Sequence, residues 1–432
     1  MTKTPKELDV YLGQRAAHGP WQLSGAPGQG YRGAIVIPSL AEGTSLQKSL
    51  ASLAENPATA LDRYLVVVVV NQRDDAEEAQ FACNQADLAW LVQTANKTGL
   101  QLAWVDASSP GQTLPQRNGG VGLARKIGLD LALTRLDWTL PPVLVCLDAD
   151  TLVEPNYLPA IQQHFADSAA GAATLPFCHQ PAEDPQHQAA IDRYELFIRS
   201  YALGLAAAGS PYAFTAVGSA MACRADTYLR CGGMNRRQAG EDFYFLQQAV
   251  KTDGVATVCG TCVYPSSRVS ERTPFGTGRN ITQQLSHAEP LLFYPVEAFQ
   301  VLSSWLSMVR QSPQAQAEQL LEQASQRSVI LAEFLEDCAF TATWSRLQTN
   351  HPALPQRLRA FHGWFDGLKT LRLVHRLCDN GFPRQRPERS LHQLFSWCGL
   401  DNFGSITDQL SRIRKHQTQP ALFSIVSPGI LC

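Results

Sequence analysis

Apolar and polar positions alternate in two registers along the first two-thirds of the chain. Residues 34–37 (AIVI) form a short apolar run stopped by Pro38, and residues 44–54 follow with helical spacing. Residues 65–70 (LVVVVV) are apolar throughout and mostly β-branched, the composition of a strand covered on both faces. Residues 76–97 are helical in pattern, 102–105 read as a third strand, 122–136 as another helix, and 143–147 (VLVCL) as a fourth strand. Strands alternating with helices predict right-handed βαβ units and a mostly parallel sheet flanked by helices. Ligands of such sheets bind beyond the carboxyl ends of the strands.

From about residue 285 the pattern changes. Residues 315–347, 354–377 and 391–400 keep helical periodicity and carry no β-branched runs. The organisation expected is an irregular lead-in over 1–30, an α/β domain over 31–290 and a helical C-terminal region over 291–432. Residues 201–223 hold no charge, but Gly204, Gly209, Pro211 and Gly218 interrupt them. They predict a helix, a turn and a buried strand instead of a bilayer span of ~20 apolar residues. Trp305, Trp344, Trp364 and Trp397 fall at no fixed interval and are read as core.

Composition narrows the function classes. Apolar residues are 45% of 432, enough for a sizeable core. Lys and Arg number 36 against 38 Asp and Glu, so no nucleic-acid coat is indicated. The odd count of 11 cysteines has no secreted-scaffold rhythm, and the N-terminus has no apolar leader. Both point to reduced thiols and a cytoplasmic location. Cys259 and Cys262 form one C-x-x-C with no second pair to complete a zinc site.

Three clusters can carry chemistry. Asp148 and Asp150 follow the fourth strand directly. Alternate residues of an extended chain share a face, so both carboxylates can address one hard cation, Mg²⁺ or Mn²⁺. Two acidic residues that simply end a strand would look the same. Phe243, Leu246 and Val250 predict a helix starting near Glu241. Glu241 and Asp242 then lie in the positive field of its N-terminus, which favours ionised carboxylates, one of them a general base. An acidic first turn that only stabilises the helix is the alternative. Between them, residues 118–126 (NGGVGLARK) place Arg125 in the first turn of a helix, where it either reaches a nucleotide or is solvated. Their glycines fit a dinucleotide loop poorly.

Together and in this order, these elements resemble the family 2 nucleotide-sugar glycosyltransferases of the GT-A fold, over residues 31–281. Residues 35–42 (IVIPSLAE) look like that family's opening strand and Pro-x-x-x-Glu turn, which implies that Pro38 and Glu42 line the nucleotide. Gly122, Ala124 and Arg125 look like its Gly-x-Ala-Arg helix, whose arginine approaches the nucleotide. Asp148 and Asp150 match its Asp-x-Asp motif, with Asp148 also facing the donor. Gly232, Gly233, Glu241 and Asp242 match its acceptor-side Gly-Gly turn and Glu-Asp pair, with Asp242 the implied base. The resemblance implies a metal-dependent, inverting transfer of a hexose from a nucleoside-diphosphate sugar to an acceptor hydroxyl. Mn²⁺ or Mg²⁺ is the implied cofactor.

Departures matter. After the second strand the family carries an Asp pair; here Asn71 stands there, able to bond a uracil or guanine edge. A UDP-sugar is preferred to a GDP-sugar, and the acceptor is undetermined. The Gln-x-x-Arg-Trp motif of processive members is missing, and so are their membrane helices, so a non-processive enzyme is expected; peripheral membrane contact stays open. In that motif's place, Arg268, Arg272 and Arg279 alternate with hydroxyls around Gly276 and Gly278. Such a loop can fold over a diphosphate or bind an acidic acceptor. A flexible basic surface loop is the bland reading. Residues 143–151 also fit, in part, the opening motif of haloacid-dehalogenase-like phosphatases, with Asp148 as nucleophile. An inactive GT-A-like binding protein is the third reading.

Overall fold

The computed structural model describes residues 5–25, 28–268, 284, 291–401 and 404–417. They fall into two units, one of residues 5–182 and 216–268, the other of residues 183–215 with the described residues from 284 onward.

The first unit is built on an eight-stranded sheet. Its strands are β1 (Ser24–Gly25), β2 (Gly33–Ser39), β3 (Tyr64–Asn71), β4 (Gln101–Ala107), β5 (Val143–Cys146), β7 (Ala172–Thr174), β8 (Met221–Arg224) and β9 (Val255–Thr257). Two further strands, β6 (Leu152–Val153) and β10 (Val263–Tyr264), pair antiparallel on their own. Spatial order in the large sheet is β1-β4-β3-β2-β5-β8-β7-β9. The four predicted strands form its parallel centre, β4-β3-β2-β5. Every residue of β2 and β3 is buried, which is why their sequences are apolar runs and not alternations. Beyond β5 the sheet turns antiparallel at β8. That reversal has no signature in a four-residue strand.

The order of the central strands has a consequence. Running β2 to β3 to β4, the chain builds outward in one direction; β5 then returns to the other side of β2. The connections leaving β2 and β5 diverge, and a crevice opens at their carboxyl ends. The helix Val121–Ala132 covers β2 and β3. Its approach is close because Gly128 has no side chain: a Cβ there would lie 2.4 Å from Val36 Cγ1 and 2.8 Å from Val69 Cγ2.

The segment 1–30 is not irregular throughout. Lys6–Gln14 is a helix, and Tyr11 on it is buried. Tyr11 donates to Asp130 Oδ1 at 2.7 Å and accepts from Lys126 Nζ at 2.7 Å, while Tyr228 donates to the same Asp130 oxygen at 2.8 Å. Lys126 also pairs with Asp130 at 3.1 Å. Only Leu8 and Tyr11 of this helix are buried, too few apolar positions to show in the pattern.

The second unit is helical, as its periodicity predicts. Trp305 and Trp344 are wholly buried at its centre. Phe340 meets the Trp305 ring edge-on at 5.1 Å, and Phe361 stacks on Phe365 at 5.8 Å. The helix Pro185–Ala207 belongs to this unit and supplies buried Leu196, Leu203 and Leu205. Glu195, with no exposed surface, accepts from Arg199 Nε at 2.9 Å and from Arg414 at 2.6 and 2.8 Å.

Gly128→Ala is expected to destabilise the protein. Helix propensity favours alanine by roughly 1 kcal/mol, but overpacking against Val36 and Val69 costs about 1–3 kcal/mol. Gly13→Ala is the control, because a Cβ there meets nothing within 4 Å. It should be neutral or slightly stabilising. Urea denaturation of both variants measures the difference in sign.

Candidate functional site

The crevice at the ends of β2 and β5 gathers the predicted residues from several elements. β2 places Pro38 within the buried sheet, in register with Val69, and is followed by the turn that carries Glu42. β3 ends on Asn71, which is 5% exposed; its Oδ1 is buried and has no hydrogen-bond partner. β5 is followed at once by Asp148 and Asp150. The helix Glu241–Thr252 starts on the predicted carboxylate pair, entered through Gly240 at φ +72°.

Arg125 joins these elements. Its side chain is 2% exposed, and its guanidinium bonds both Asp148 Oδ1 and Glu241 Oε1. It is therefore neither solvated nor pointed outward from the helix surface. The fit around it is close. A Cβ on Gly218 would come 2.3 Å from Arg125 Nη2. One on Gly122 would come 2.5 Å from the Arg237 carbonyl and 3.0 Å from Glu241 Cβ. Gly218 thus leaves room for the guanidinium, and Gly122, one of the glycines that resemble a dinucleotide loop, lets the helix approach the backbone before Glu241. The flanking carboxylates Asp148 and Asp242 raise the Arg125 pKa against the opposing effect of burial.

Glu241 is 4% exposed and committed to Arg125. Asp242 is half-buried, and its Oδ1 accepts from the Phe243 N–H at 2.7 Å. Burial pushes its carboxyl up; the Arg125 charge and the Phe243 N–H hold it down, and the Asp148 charge adds to the rise. Burial thus opposes the helix-terminus field, which favours the ionised form.

Asp150 has its own arginine. Arg268 Nη2 lies 3.0 Å from Asp150 Oδ2 and donates to Glu42 Oε1 at 2.6 Å. The β6–β10 pairing delivers Arg268 there, since Tyr264 is in register with Leu152. Gln180 fixes the arrangement, donating to the Asp150 carbonyl at 2.8 Å and to the Tyr264 carbonyl at 2.7 Å. Burial raises the Asp150 pKa to about 7; Arg268 opposes the rise, and the charges of Asp148 and Glu42 add to it. Arg272 and Arg279 lie outside the described residues.

Among the described residues no three Asp, Glu, His or Cys side chains converge as a metal site. Two carboxylates at one strand end are a different donor set. They suit Mg²⁺ or Mn²⁺, which binds through one or two carboxylates and takes further oxygens from a substrate diphosphate and water. The cysteines among the described residues form no disulfide. None of the described helices is long and apolar enough to cross a membrane.

Sequence reading passed over three residues that support the crevice. Gln180 has no local signal at all. Asn84 and Asp87 are buried on the helix Glu78–Thr94 and bond to the turn after β2, with Asn84 accepting from Ala41 N at 2.8 Å and Asp87 from Gly43 N at 3.2 Å. Their signal was available: with Leu91 they stand at i, i+3, i+7, polar residues on an inward stripe.

Known proteins can now be set beside this geometry. S. aureus TarS residues 1–349, in complex with UDP-GlcNAc, is 14% identical, with 89% of this chain and 90% of that chain covered and a TM-score of 0.37. The mannosyltransferase PcManGT from Pyrobaculum calidifontis, in complex with GDP-Man and Mn²⁺, is 15% identical, with 87% and 95% covered and a TM-score of 0.35. At those scores the overlays assign no residue of this chain. No curated protein sequence matches the chain. The model of the family described as glycosyltransferase like family 2 matches residues 32–285. That match spans more than half of the 432 residues and every element of the crevice up to Arg268, so the chain belongs to glycosyltransferase-like family 2 and is a glycosyltransferase.

Proposed function

We propose that this glycosyltransferase moves a sugar from a nucleoside-diphosphate sugar to an acceptor hydroxyl by a single inverting, non-processive displacement assisted by Mn²⁺ or Mg²⁺. One observation carries the reading: a single buried guanidinium, that of Arg125, bonds both the strand-end carboxylate Asp148 and the helix-start carboxylate Glu241. The donor side and the acceptor side of the crevice are thereby held one side chain apart.

Asp148 and Asp150 would hold the cation. When bound, it neutralises charge on the departing nucleoside diphosphate. Asp242 takes the proton of the acceptor hydroxyl as that oxygen attacks the anomeric carbon. The bond from the anomeric carbon to the diphosphate oxygen breaks on the opposite face, so the centre inverts. Burial, which raises the Asp242 carboxyl, makes it a stronger base than a solvated aspartate. Glu241 and Arg125 orient the base and Asp148 and make no demand on substrate. Arg268 stands beside Asp150 and Glu42, placed to meet the diphosphate.

Asn71 favours uracil. Its amide accepts one N–H and donates to one carbonyl, the alternation on the uracil imide edge; guanine's two adjacent N–H donors would be met better by the carboxylate that Asn71 replaces. A UDP-sugar therefore ranks ahead of a GDP-sugar. A cytoplasmic location accords with the free thiols of the described cysteines. A phosphatase using Asp148 as nucleophile is disfavoured, since the glycosyltransferase family model matches residues 32–285 around it.

Asp242→Asn keeps shape and removes the proton acceptor. Transfer should fall by ~10²–10⁴ while UDP affinity, measured calorimetrically with Mn²⁺, is retained. Glu241→Gln should be milder. Normal transfer by both variants places the base elsewhere.

Asp148→Asn and Asp150→Asn should each weaken Mn²⁺-dependent UDP binding. The pH dependence follows from Asp150. A carboxyl whose folded pKa is raised stabilises the metal-free fold below its unfolded pKa, and that stability is lost as pH rises through about 7. Cation and proton compete for this oxygen. Mn²⁺-dependent UDP affinity should therefore rise between about pH 6 and about pH 8, more steeply than in Asp150→Asn. A flat profile in the wild type contradicts the assignment.

Arg125→Met leaves Glu241 buried without its cation and should cost about 3–5 kcal/mol in urea denaturation. Arg268→Met, at a side chain 35% exposed, should cost under about 1 kcal/mol. Equal losses would mean that Arg125 has no special positioning role.

A further inference from the structure

The helix Glu78–Thr94 is unusual in what it buries. Its buried positions are Asn84, Asp87 and Leu91, so two of the three are polar. Asn84 has no exposed surface and Asp87 is 3% exposed. Inward polar groups are costly unless every bond is made. Here they are directed at one place. Asn84 Oδ1 accepts from the Ala41 N–H at 2.8 Å, while its Nδ2 donates to Gln72 Oε1 at 2.9 Å and to the Asn71 carbonyl at 3.3 Å. Asp87 Oδ2 accepts from the Gly43 N–H at 3.2 Å. One helix face thus ties the turn after β2 to the end of β3.

The turn needs the support. Ala41 takes φ +51°, a left-handed conformation that alanine seldom adopts, and Gly43 takes φ +53°. Between them sits Glu42. On the neighbouring strand sits Asn71, whose buried Oδ1 has no partner. The Asn84 and Asp87 bonds add to the local bond from the Ser45 N–H to the Glu42 carbonyl at 3.0 Å in holding 41–43 in this shape.

We propose that Asn84 and Asp87 are positioning residues for the nucleoside half of the donor, holding Glu42 and Asn71 in the geometry that receives base and ribose. The inference rests on the crevice being the nucleotide-sugar site. It assigns them no contact with the diphosphate, which lies toward Asp148, Asp150 and Arg268. Asn84 bonds Asn71 and Gln72 directly and meets the diphosphate side only through the turn, Glu42 and Arg268, so its loss falls mainly on the base.

This asymmetry supplies the test. UDP and inorganic pyrophosphate, each with Mn²⁺, are titrated calorimetrically into the wild type, Asn84→Ala, Asn84→Asp and Asp87→Asn. In Asn84→Ala the affinity for UDP should fall on the order of tenfold, with pyrophosphate changed by less than about twofold. Asn84→Asp keeps the acceptor for Ala41 and loses both donors, so its loss should be intermediate. It and Asp87→Asn are near-isosteric and serve if the alanine variant does not fold. A general structural role would lower both affinities together, and that outcome overturns the proposal. So does UDP binding unchanged in all variants. A wild type that binds pyrophosphate but neither UDP nor GDP instead refutes the nucleotide-sugar reading itself.

Discussion

A buried guanidinium between two carboxylates is the constraint on which the site depends. Arg125 cannot lose its proton, and it has almost no exposed surface. Its charge has to be met inside the protein, and Asp148 and Glu241 meet it at its two terminal nitrogens. Each of these carboxylates is in turn fixed by the arginine. The end of β5 and the start of the helix Glu241–Thr252 are therefore held by the same group. A buried ion pair is weak evidence for stability, because desolvation offsets much of the attraction. It is good evidence for a fixed geometry on the Glu241 side, where both partners are buried; Asp148, 34% exposed, keeps an open side.

The packing around the arginine follows from that requirement. Gly122 lets the helix Val121–Ala132 come up against the loop before Glu241, and Gly218 leaves room for the guanidinium itself. Gly128 seats the same helix on Val36 and Val69. Behind it, Asp130 collects bonds from Tyr11, Tyr228 and Lys126, so one helix is locked at both its outer and inner faces. The second arginine is a looser counterpart. Arg268 balances Asp150 and Glu42 from a partly exposed position, open to solvent as Arg125 is not.

The central strands were legible in the sequence because strands covered on both faces must be apolar along their whole length. Asp148, Asp150, Glu241 and Asp242 were legible as candidates because they stand immediately at the ends of such elements. The role of Arg125 was not. A helix first turn looks the same whether its arginine faces a ligand or two carboxylates more than 20 and 110 residues away in sequence. The N-terminal helix was missed because two buried residues do not make a period. Gln180 was missed because its two bonds are to backbone carbonyls, which any sequence provides.

What the sequence determined by itself is the alternation of elements, the helical character of the C-terminal region and the chemical types available at the strand ends. These depend on local periodicity and on residue chemistry, both of which are written residue by residue. Tertiary structure decided which charges meet. The reversal of strand order at β2 and β5 opens the crevice, the β6–β10 pairing carries Arg268 to Asp150, and Asn84 with Asp87 turns a polar helix face toward the turn after β2. Those outcomes depend on burial and on long-range contact. An ionised or hydrogen-bonding group inside a protein is placed by whichever partner removes the cost of desolvation, and that partner is set by the fold, not by its neighbours in the chain.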